Sequence, residues 1–436
     1  MTILEAGRAL RQKKISVLEM VSESLRRIER ENPRLNAFLT ITREEALPRA
    51  AELDRELARG IDRGPLHGIP VAHKDAFHTK GVRTTAGTKI LRDFIPEGDA
   101  DLVAQMHQAG AVMVGKTNLH ELCHGITSQN PHFGGVRNPR DLSRIPGGSS
   151  GGSGAAVAAG LVPLATGTDT GGSIRIPAAY CGVAGLKPTF GKPSCRGVTP
   201  LAFTLDHVGP MAATVRDVAA AFGAAPPEHP EIRGLRIGVP GNFFFTGLAP
   251  EVASALRRAV QIAAALGAMA GEVRLPDPEE LNTAGRLIQL SEAASIWRRY
   301  RERREDFGAD VFALLQQGLL IPATDYVDAQ RARRVLARDF ARVWAQCDCL
   351  LTPATAITAP RIGESVVSIH GREEDVRLAS TRLTRPFNVL GWPALVMPCG
   401  VSPEGLPVGL QLAAPPGGEE TLFRVGAALE DALGPR

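Results

Sequence analysis

Residues 146–175, which read PGGSSGGSGAAVAAGLVPLATGTDTGGSIR, constrain the fold more than any other stretch of this chain. Two turns rich in glycine and serine, 147–154 and 171–173, are joined by a run of small residues and an apolar segment that stops at Asp169. Because the flanks favour a helix and then a strand, the stretch does not have the composition of a flexible linker. A loop such as 170–173 can turn successive N–H groups toward one point, which is the outline of an oxyanion hole.

The bulk composition predicts a folded protein without a dominant charge. The chain has 436 residues, of which 44% are hydrophobic, and a formal net charge of +4. Its most basic run, 298–304, is interrupted by an acid and is typical of a solvated helix face, so we expect no nucleic-acid partner. The first residues lack an apolar core of signal-peptide length, and the longest uncharged run is mostly Gly, Ser and Ala. We therefore expect no membrane partner.

The cysteines are scattered and form no C-x-x-C pair, which suits a reducing compartment better than a disulfide framework. We therefore expect a cytoplasmic protein in which most cysteines are buried small hydrophobic residues. The six are Cys123, Cys181, Cys195, Cys347, Cys349 and Cys399.

Helical and strand patterns alternate along the chain and predict an α/β sheet. Capping-box patterns at Ser16 and Thr42 each precede an amphipathic helical pattern. The apolar segments 68–75 and 111–115 predict buried strands, and residues 224–230 (AAPPEHP) are the best candidate for a domain boundary. Further predicted elements are helices at 99–109, 118–125, 250–266, 281–304 and 323–346, and strands at 236–239, 349–353 and 394–398.

One short motif indicates a different chemistry from the glycine-rich turns. His120 and His124 fit H-E-x-x-H, so that both could face one zinc ion from a helix. The extended form of the motif fails, because Thr127 and Asn130 occupy the positions that require Gly and His. A zinc metalloprotease stays an alternative, since a more distant third ligand would complete the site.

The serines offer two routes to a nucleophile. Ser149 and Ser150 each fit the G-x-S-x-G nucleophile elbow, but the preceding residues 138–144 form a polar, proline-containing segment rather than the required buried strand. A Ser–His–Asp triad with His207 stays open, because the members of a triad need not be close in sequence.

A buried lysine is the second route. An amine that is shielded from water loses its preference for the charged form and can then act as a base toward a serine. Lys74 lies at the end of an apolar strand pattern, with Ser149 and Ser173 downstream, and fits this requirement.

These residues together resemble the amidase signature hydrolases. The resemblance rests on 147–152 (GGSSGG) and 169–175 (DTGGSIR), with the spacing of the family between the lysine and the two serines. It extends through 385–388 (RPFN) and 405–411 (GLPVGLQ), and covers nearly the whole chain. The combination of these motifs is highly specific.

The resemblance implies a catalytic triad and an acyl-enzyme mechanism. Ser173 would be the nucleophile, Lys74 the base, and Ser149 the bridging serine that passes the proton between them. An amide requires both a stabilised oxyanion and a proton for its leaving nitrogen, so these roles agree with the chemistry. The oxyanion hole would consist of the N–H groups of Thr170, Gly171, Gly172 and Ser173.

The resemblance also implies the surroundings of the triad. Asp169 and Arg175 would be buried supports of the glycine loop, and the Gly148–Ser149 peptide bond would be cis. No metal or other cofactor is implied. The residues that would line the acyl side of the pocket are Cys123, His124 and Ile126.

The fold implied by the resemblance is one large α/β domain over residues 1–436, with a mixed, twisted central β-sheet covered by helices. This interpretation replaces the boundary at 224–230 that composition alone suggested. We expect a monomer or a homodimer that binds a small amide.

The resemblance branches between stand-alone hydrolases and the glutaminase component of tRNA-dependent amidotransferases. Those components carry a basic stretch after a Phe-Gly pair, whereas residues 307–315 here read FGADVFALL. Because the cations are replaced by apolar residues, the sequence predicts an independent amidase for uncharged aryl or alkyl amides, with esters and carbamates as side substrates (a urethanase activity). The glutaminase component of an amidotransferase is the alternative.

Overall fold

The strands form one large mixed sheet and two small two-stranded sheets in the computed structural model, which describes residues 1–434. In chain order they are β1 Phe38–Ile41, β2 Pro70–Lys74, β3 Val112–Thr117, β4 Gln129–Asn130, β5 Gly134–Gly135, β6 Leu164–Asp169, β7 Ala184–Lys187, β8 His207–Ala212, β9 Arg236–Pro240, β10 Met269–Val273, β11 Cys349–Pro353, β12 Val366–Ile369, β13 Arg372–Asp375, β14 Ala394–Val401 and β15 Pro407–Ala413. The large sheet has the order β1-β3-β2-β6-β8-β7-β14-β15-β11-β9-β10. Strand β2 is parallel to β3 and β6, while β8 and β15 are antiparallel to their neighbours, so the sheet is mixed.

Helices cover this sheet and bury its apolar side chains in one large core. They are α1 Ile3–Arg11, α2 Val17–Leu35, α3 Arg43–Ala58, α4 Asp101–Gln108, α5 Gly151–Ala158, α6 Arg175–Cys181, α7 Val215–Phe222, α8 Pro250–Ala265, α9 Pro278–Trp297, α10 Ala309–Leu319, α11 Ala323–Phe340, α12 Val376–Thr381, α13 Arg385–Val389 and α14 Glu419–Leu433. Within residues 1–434, none of them combines the length and the apolar character that a membrane crossing requires. The predicted α/β class with a mixed, helix-covered central sheet is confirmed.

The large sheet also crosses the candidate boundary at 224–230. Strands β9, β10 and β11, which follow that segment, lie in the same sheet as β1 to β3, which precede it. A break at this position would therefore divide a continuous hydrogen-bonded sheet, and the single-domain interpretation fits the architecture.

Of the two capping boxes predicted at helix starts, one is confirmed and the other is wrong. The capping box at Ser16 is formed, with its side chain accepting a hydrogen bond from the backbone of Glu19. Thr42 precedes α3 as predicted, but its side chain makes no capping hydrogen bond to that helix. It bonds to the carbonyl oxygen of Met113 in β3 instead, so tertiary packing outweighs the local motif.

The helix predicted over 118–125 is absent. The segment has only a short 3-10 turn, Glu121–Cys123, and the φ angles of Leu122 and Cys123 are +51° and +59°. Left-handed residues end an α-helix, because the next turn can no longer form its i to i−4 hydrogen bonds. The chain here instead folds back against the glycine-serine turn, where the N–H group of His120 donates to the carbonyl oxygen of Ser149.

Close packing positions the start of α5, directly after the glycine-serine turn. Gly152 donates its N–H group to the carbonyl oxygen of Asn118, at the end of β3. A methyl group on Gly152 would lie 2.3 Å from that oxygen and 2.6 Å from the carbonyl oxygen of Ala37. Both are backbone atoms that cannot rotate away, so only glycine fits between α5 and these two segments.

We expect Gly152→Ala to lower the free energy of unfolding by about 1–3 kcal/mol, the usual cost of overpacking. Thermal and urea unfolding followed by circular dichroism would measure this loss. Gly271→Ala on β10 is the matched control, because no atom lies within 4 Å of its added methyl group. Equal unfolding midpoints for the two variants would contradict the packing argument.

Candidate active site

The side chain of Lys74, at the end of β2, is fully buried beside a serine. Its Nζ atom donates to Ser149 Oγ at 2.8 Å and to Thr168 Oγ1 at 2.6 Å. Within residues 1–434 no carboxylate forms an ion pair with it at 4 Å or less. Burial lowers the pKa of Lys74, and the nearby Cys123 thiol only partly opposes this effect. The arrangement therefore favours a neutral amine that can accept a proton from a hydroxyl group.

A second buried lysine on the neighbouring strand provides a contrast. Lys116 Nζ lies 3.2 Å from Asp75 Oδ1, and it donates to the carbonyl oxygen of Phe77 and to Thr84 Oγ1. Burial lowers the pKa of Lys116 too, but its carboxylate partner favours the charged form. The sequence reasoning missed this pair, because the parallel pairing of β2 with β3 that brings the two residues together leaves no local signal.

Ser173 lies at the mouth of the glycine turn that precedes α6, with 7% of its surface exposed. Its carbonyl oxygen accepts a hydrogen bond from the N–H group of Ser150, which links the two glycine-serine turns. The Gly148–Ser149 peptide bond is cis. No hydrogen bond joins the hydroxyl groups of Ser149 and Ser173 in the part of the chain that the structure describes, so the proton relay between them belongs to the proposal below.

The backbone N–H groups of the glycine turn do not all point to one place. Gly172 donates its N–H group to Asp169 Oδ1 at 2.9 Å, so this group is already committed inside the loop. Among the described residues, the N–H groups of Gly171 and Ser173 have no protein acceptor. These two groups are therefore better candidates for an oxyanion hole than that of Gly172, and Thr170 lies directly before them, just after the end of β6.

Gly172 is required by the shape of the turn. Its φ angle is +132°, and a methyl group on it would lie 2.3 Å from Thr384 Oγ1. That threonine hydroxyl in turn donates to the carbonyl oxygen of Gly171 at 2.7 Å. The turn is thus held from the side of α13, which begins one residue after Thr384.

Asp169 and Arg175 form a fully buried ion pair with an N–O distance of 2.9 Å. Burial by itself would raise the pKa of Asp169, but the Arg175 guanidinium outweighs it and holds the pKa below its usual range. Asp169 also accepts from the N–H groups of Gly172 and Ile174. The pair therefore holds both ends of the turn that carries Ser173.

A cavity of about 490 Å³ opens beside Ser173. Cys123, His124 and Ile126 all line it, where the sequence placed the acyl pocket. Three arginines that the sequence reasoning did not identify also line the cavity, and they are Arg286, Arg377 and Arg385. Arg286 comes from α9, which is far in sequence from α12 and α13, the helices of the other two arginines, and only the RPFN motif at 385–388 offered a signal.

The geometry of the two histidines does not fit the metalloprotease alternative. Both ring nitrogens of His120 have protein partners, Asp310 Oδ2 at 3.1 Å and Thr127 Oγ1 at 3.2 Å. His124 faces the cavity instead, and burial lowers its pKa to about 3. Because the segment is not an α-helix, residues four apart do not lie on one face. The spacing of His120 and His124 therefore no longer predicts that they bind one zinc ion. No group of three or more potential metal ligands occurs within residues 1–434.

The alternative base, His207, is bonded to groups other than the serines. Its Nδ1 atom lies 2.7 Å from the carbonyl oxygen of Leu205, and Asn388 Nδ2 is 3.5 Å from the same atom. Over residues 1–434, no hydrogen bond connects His207 to Ser149 or Ser173. Lys74 thus has a direct hydrogen bond to a serine of the site, and His207 has none.

Comparison with known proteins agrees with this site. A family model described as "Amidase" matches residues 19–423. The chain is 39% identical over 478 aligned residues to the A component of the glutamyl-tRNA(Gln) amidotransferase of Koribacter versatilis, covering 99% of the chain and 98% of that relative. A crystal structure of an amidase superposes with a TM-score of 0.94 at 38% identity, covering all of both chains. A native peptide amidase from Stenotrophomonas maltophilia has a TM-score of 0.84 at 30% identity, over 99% of this chain and 96% of that one.

We expect Asp169→Asn to lower the free energy of unfolding by about 3–5 kcal/mol, because it leaves Arg175 as a buried cation without its carboxylate. Urea unfolding followed by circular dichroism measures the change. Asp348→Asn is the control, since Asp348 pairs with Arg236 at a partly exposed position and its loss should cost at most about 1 kcal/mol. A similar cost for both variants would show that Asp169–Arg175 is not the support described above.

Proposed function

This chain belongs to the amidase family of hydrolases that act on carbon–nitrogen amide bonds, and we propose that it works through an acyl-enzyme formed on Ser173. The observation that carries the proposal is the hydrogen bond from the buried, carboxylate-free Lys74 to Ser149. A neutral lysine beside a serine is a means of activating a nucleophile at ordinary pH.

In the first half of the reaction, Ser173 Oγ attacks the amide carbonyl carbon. Its proton passes to Ser149 Oγ, while the proton of Ser149 passes to Lys74 Nζ. The N–H groups of Gly171 and Ser173 stabilise the negative oxygen of the tetrahedral intermediate. The carbon–nitrogen bond then breaks as the leaving nitrogen takes up a proton returned from Lys74 through Ser149, and the acyl group stays on Ser173 as an ester.

In the second half, a water molecule takes the place of the leaving amine. It gives a proton to the Ser149–Lys74 pair and attacks the ester carbon. Collapse of the second intermediate returns the proton to Ser173 Oγ and releases a carboxylic acid. The same groups serve in both halves because the second half is the reverse of the first with water as the acyl acceptor.

The glutaminase component of a tRNA-dependent amidotransferase is the second candidate, and the curated relatives favour it over a stand-alone hydrolase of simple amides. The relative from Koribacter versatilis belongs to such an amidotransferase and aligns over 98% of its own length. Both candidates share the acyl-enzyme chemistry. They differ in substrate, which would be glutamine for the second candidate, and in whether partner proteins are required.

We expect Ser173→Ala to lower kcat by at least roughly 10³-fold, because it removes the nucleophile while the substrate pocket stays. The purified chain would be assayed alone for ammonia or amine release from glutamine, an aliphatic amide, an anilide and an aryl carbamate. Near-normal turnover by the variant would rule out Ser173 as the nucleophile. Glutaminase activity that appears only with the other amidotransferase components added, and no activity on other amides, would favour the second candidate.

We expect kcat/KM to rise with pH as Lys74 loses its proton. Burial lowers the pKa of Lys74, so the rise should occur at a pH below about 10.4, the ordinary pKa of a lysine side chain. The profile is measured under conditions in which the chemical step limits the rate.

His207→Gln is the control for this profile, and it should keep the rising limb, since within residues 1–434 His207 has no hydrogen bond to Ser149 or Ser173. A limb that disappears in His207→Gln, or a flat profile from pH 6 to 9 in the unmodified chain, would argue against Lys74 as the base.

A further inference from the structure

The strongest unexplained feature of the cavity is an arginine without a partner. Arg385, the first residue of α13, lines the cavity next to the glycine turn. A methyl group on Gly171 would lie 3.5 Å from its Nε atom, so the guanidinium is adjacent to the turn that carries Ser173. The Nε atom is buried and has no hydrogen-bond partner, and within residues 1–434 no carboxylate lies within 4 Å of the side chain.

The other charges around the cavity do not neutralise Arg385. Arg286, which is exposed on α9, also has no ion pair in the described part of the chain, and it adds a like charge. Burial and this neighbour lower the pKa of Arg385 to about 10, an effect that the more distant Glu279 only partly opposes, and Arg385 is still charged at neutral pH. A shielded cation beside a second cation is costly unless an anion joins them.

The remaining charged residues of the cavity have other partners. Arg377 is within 3.4 Å of Asp310, which also accepts from His120. Asp375 accepts hydrogen bonds from the N–H groups of Arg377 and Leu378 and so caps α12. The unmatched positive charge of the cavity therefore lies at Arg385 and Arg286.

We propose that the substrates of this site are short amides that carry a carboxylate group, which Arg385 binds next to the oxyanion hole while Arg286 attracts it at the rim. The inference rests on the proposed function, because it takes the anion to be part of the amide substrate. A guanidinium binds a carboxylate through two parallel hydrogen bonds, which fixes the orientation of the acyl chain as well as its charge. Since Arg385 lies so near Gly171, only a few bonds separate the carboxylate from the reacting carbonyl.

This inference replaces the uncharged substrates expected from the sequence. That expectation relied on the apolar residues that follow Phe307 and Gly308, where the amidotransferase relatives carry their cations. In this chain the cations enter the cavity from α9 and α13 instead. The absence of a basic motif at one position thus does not make the pocket neutral.

The test compares amides that differ only in the charged end. Succinamate and glutaramate have the neutral counterparts butyramide and valeramide, in which a methyl group replaces the carboxylate. We expect the intact chain to prefer the acids in kcat/KM by roughly ten- to a hundredfold, the range of a charge-assisted pair. Arg385→Gln should abolish most of that preference, mainly through KM. A preference for the neutral amides, or a ratio unchanged in Arg385→Gln, would overturn the inference.

Arg382→Gln is the matched control. Arg382 precedes Arg385 by less than one helical turn, but its guanidinium bonds to Glu374 and to the carbonyl oxygen of Gly247 outside the cavity. This variant should keep the preference for the acids. Loss of the preference in both variants would indicate a general disturbance of the α12–α13 region and would count against the assignment.

Binding to the Ser173→Ala chain separates failure of this inference from failure of the proposed function. Calorimetry should show saturable binding of succinamate or glutaramate that weakens at least roughly tenfold when Arg385→Gln is added. Binding of this kind without turnover by the intact chain would support the anion site and contradict the proposed hydrolysis. Hydrolysis of the neutral amides without binding of either acid would support the hydrolysis and contradict the anion site.

Discussion

The ion pair between Asp169 and Arg175 is the interaction on which the rest of the site depends. Both side chains are fully buried, so neither charge can be satisfied by water. Arg175 also donates to Gln411 on β15 and to Asn388 on α13, and these bonds join the turn before α6 to the late part of the chain. Because a buried charge without its partners is costly, the shape of the turn that holds Ser173 depends on β15 and α13 as well as on its own residues.

The same reasoning explains why two neighbouring buried lysines differ. Lys116 has the carboxylate of Asp75 beside it and serves as a structural cation. Lys74, one strand away, donates to the hydroxyl groups of Ser149 and Thr168, which can bond to an amine in either charge state, and it lies near the Cys123 thiol. Asp75 thus favours the charged form of Lys116, whereas Lys74, for which we propose the role of a neutral base, has no ion pair within residues 1–434.

The parts of the structure that follow from local patterns were predictable, and those that depend on distant contacts were not. The helix and strand that flank the glycine turns appear as α5 and β6, because small and apolar runs decide them locally. The helix over 118–125 failed, since Leu122 and Cys123 are left-handed and the N–H group of Leu122 bonds to the carbonyl oxygen of Ala86, which is distant in sequence. Gly172 illustrates the same limit, because only the structure shows that its N–H group bonds to Asp169.

The groups that we propose for catalysis and for substrate recognition occupy different parts of the fold, and this separation explains why the sequence pointed to the first and not to the second. The proposed triad lies on β2 and on two turns whose backbone geometry requires glycine. Its residues therefore stand out in the sequence. Arg286 and Arg385 lie on helices where an arginine has no special backbone requirement, and only the convergence of α9 and α13 over the cavity gives them a common role. Under our proposal, the charge that the cavity selects could therefore be changed by replacements on those two helices, while Lys74 and the glycine turns stay as they are.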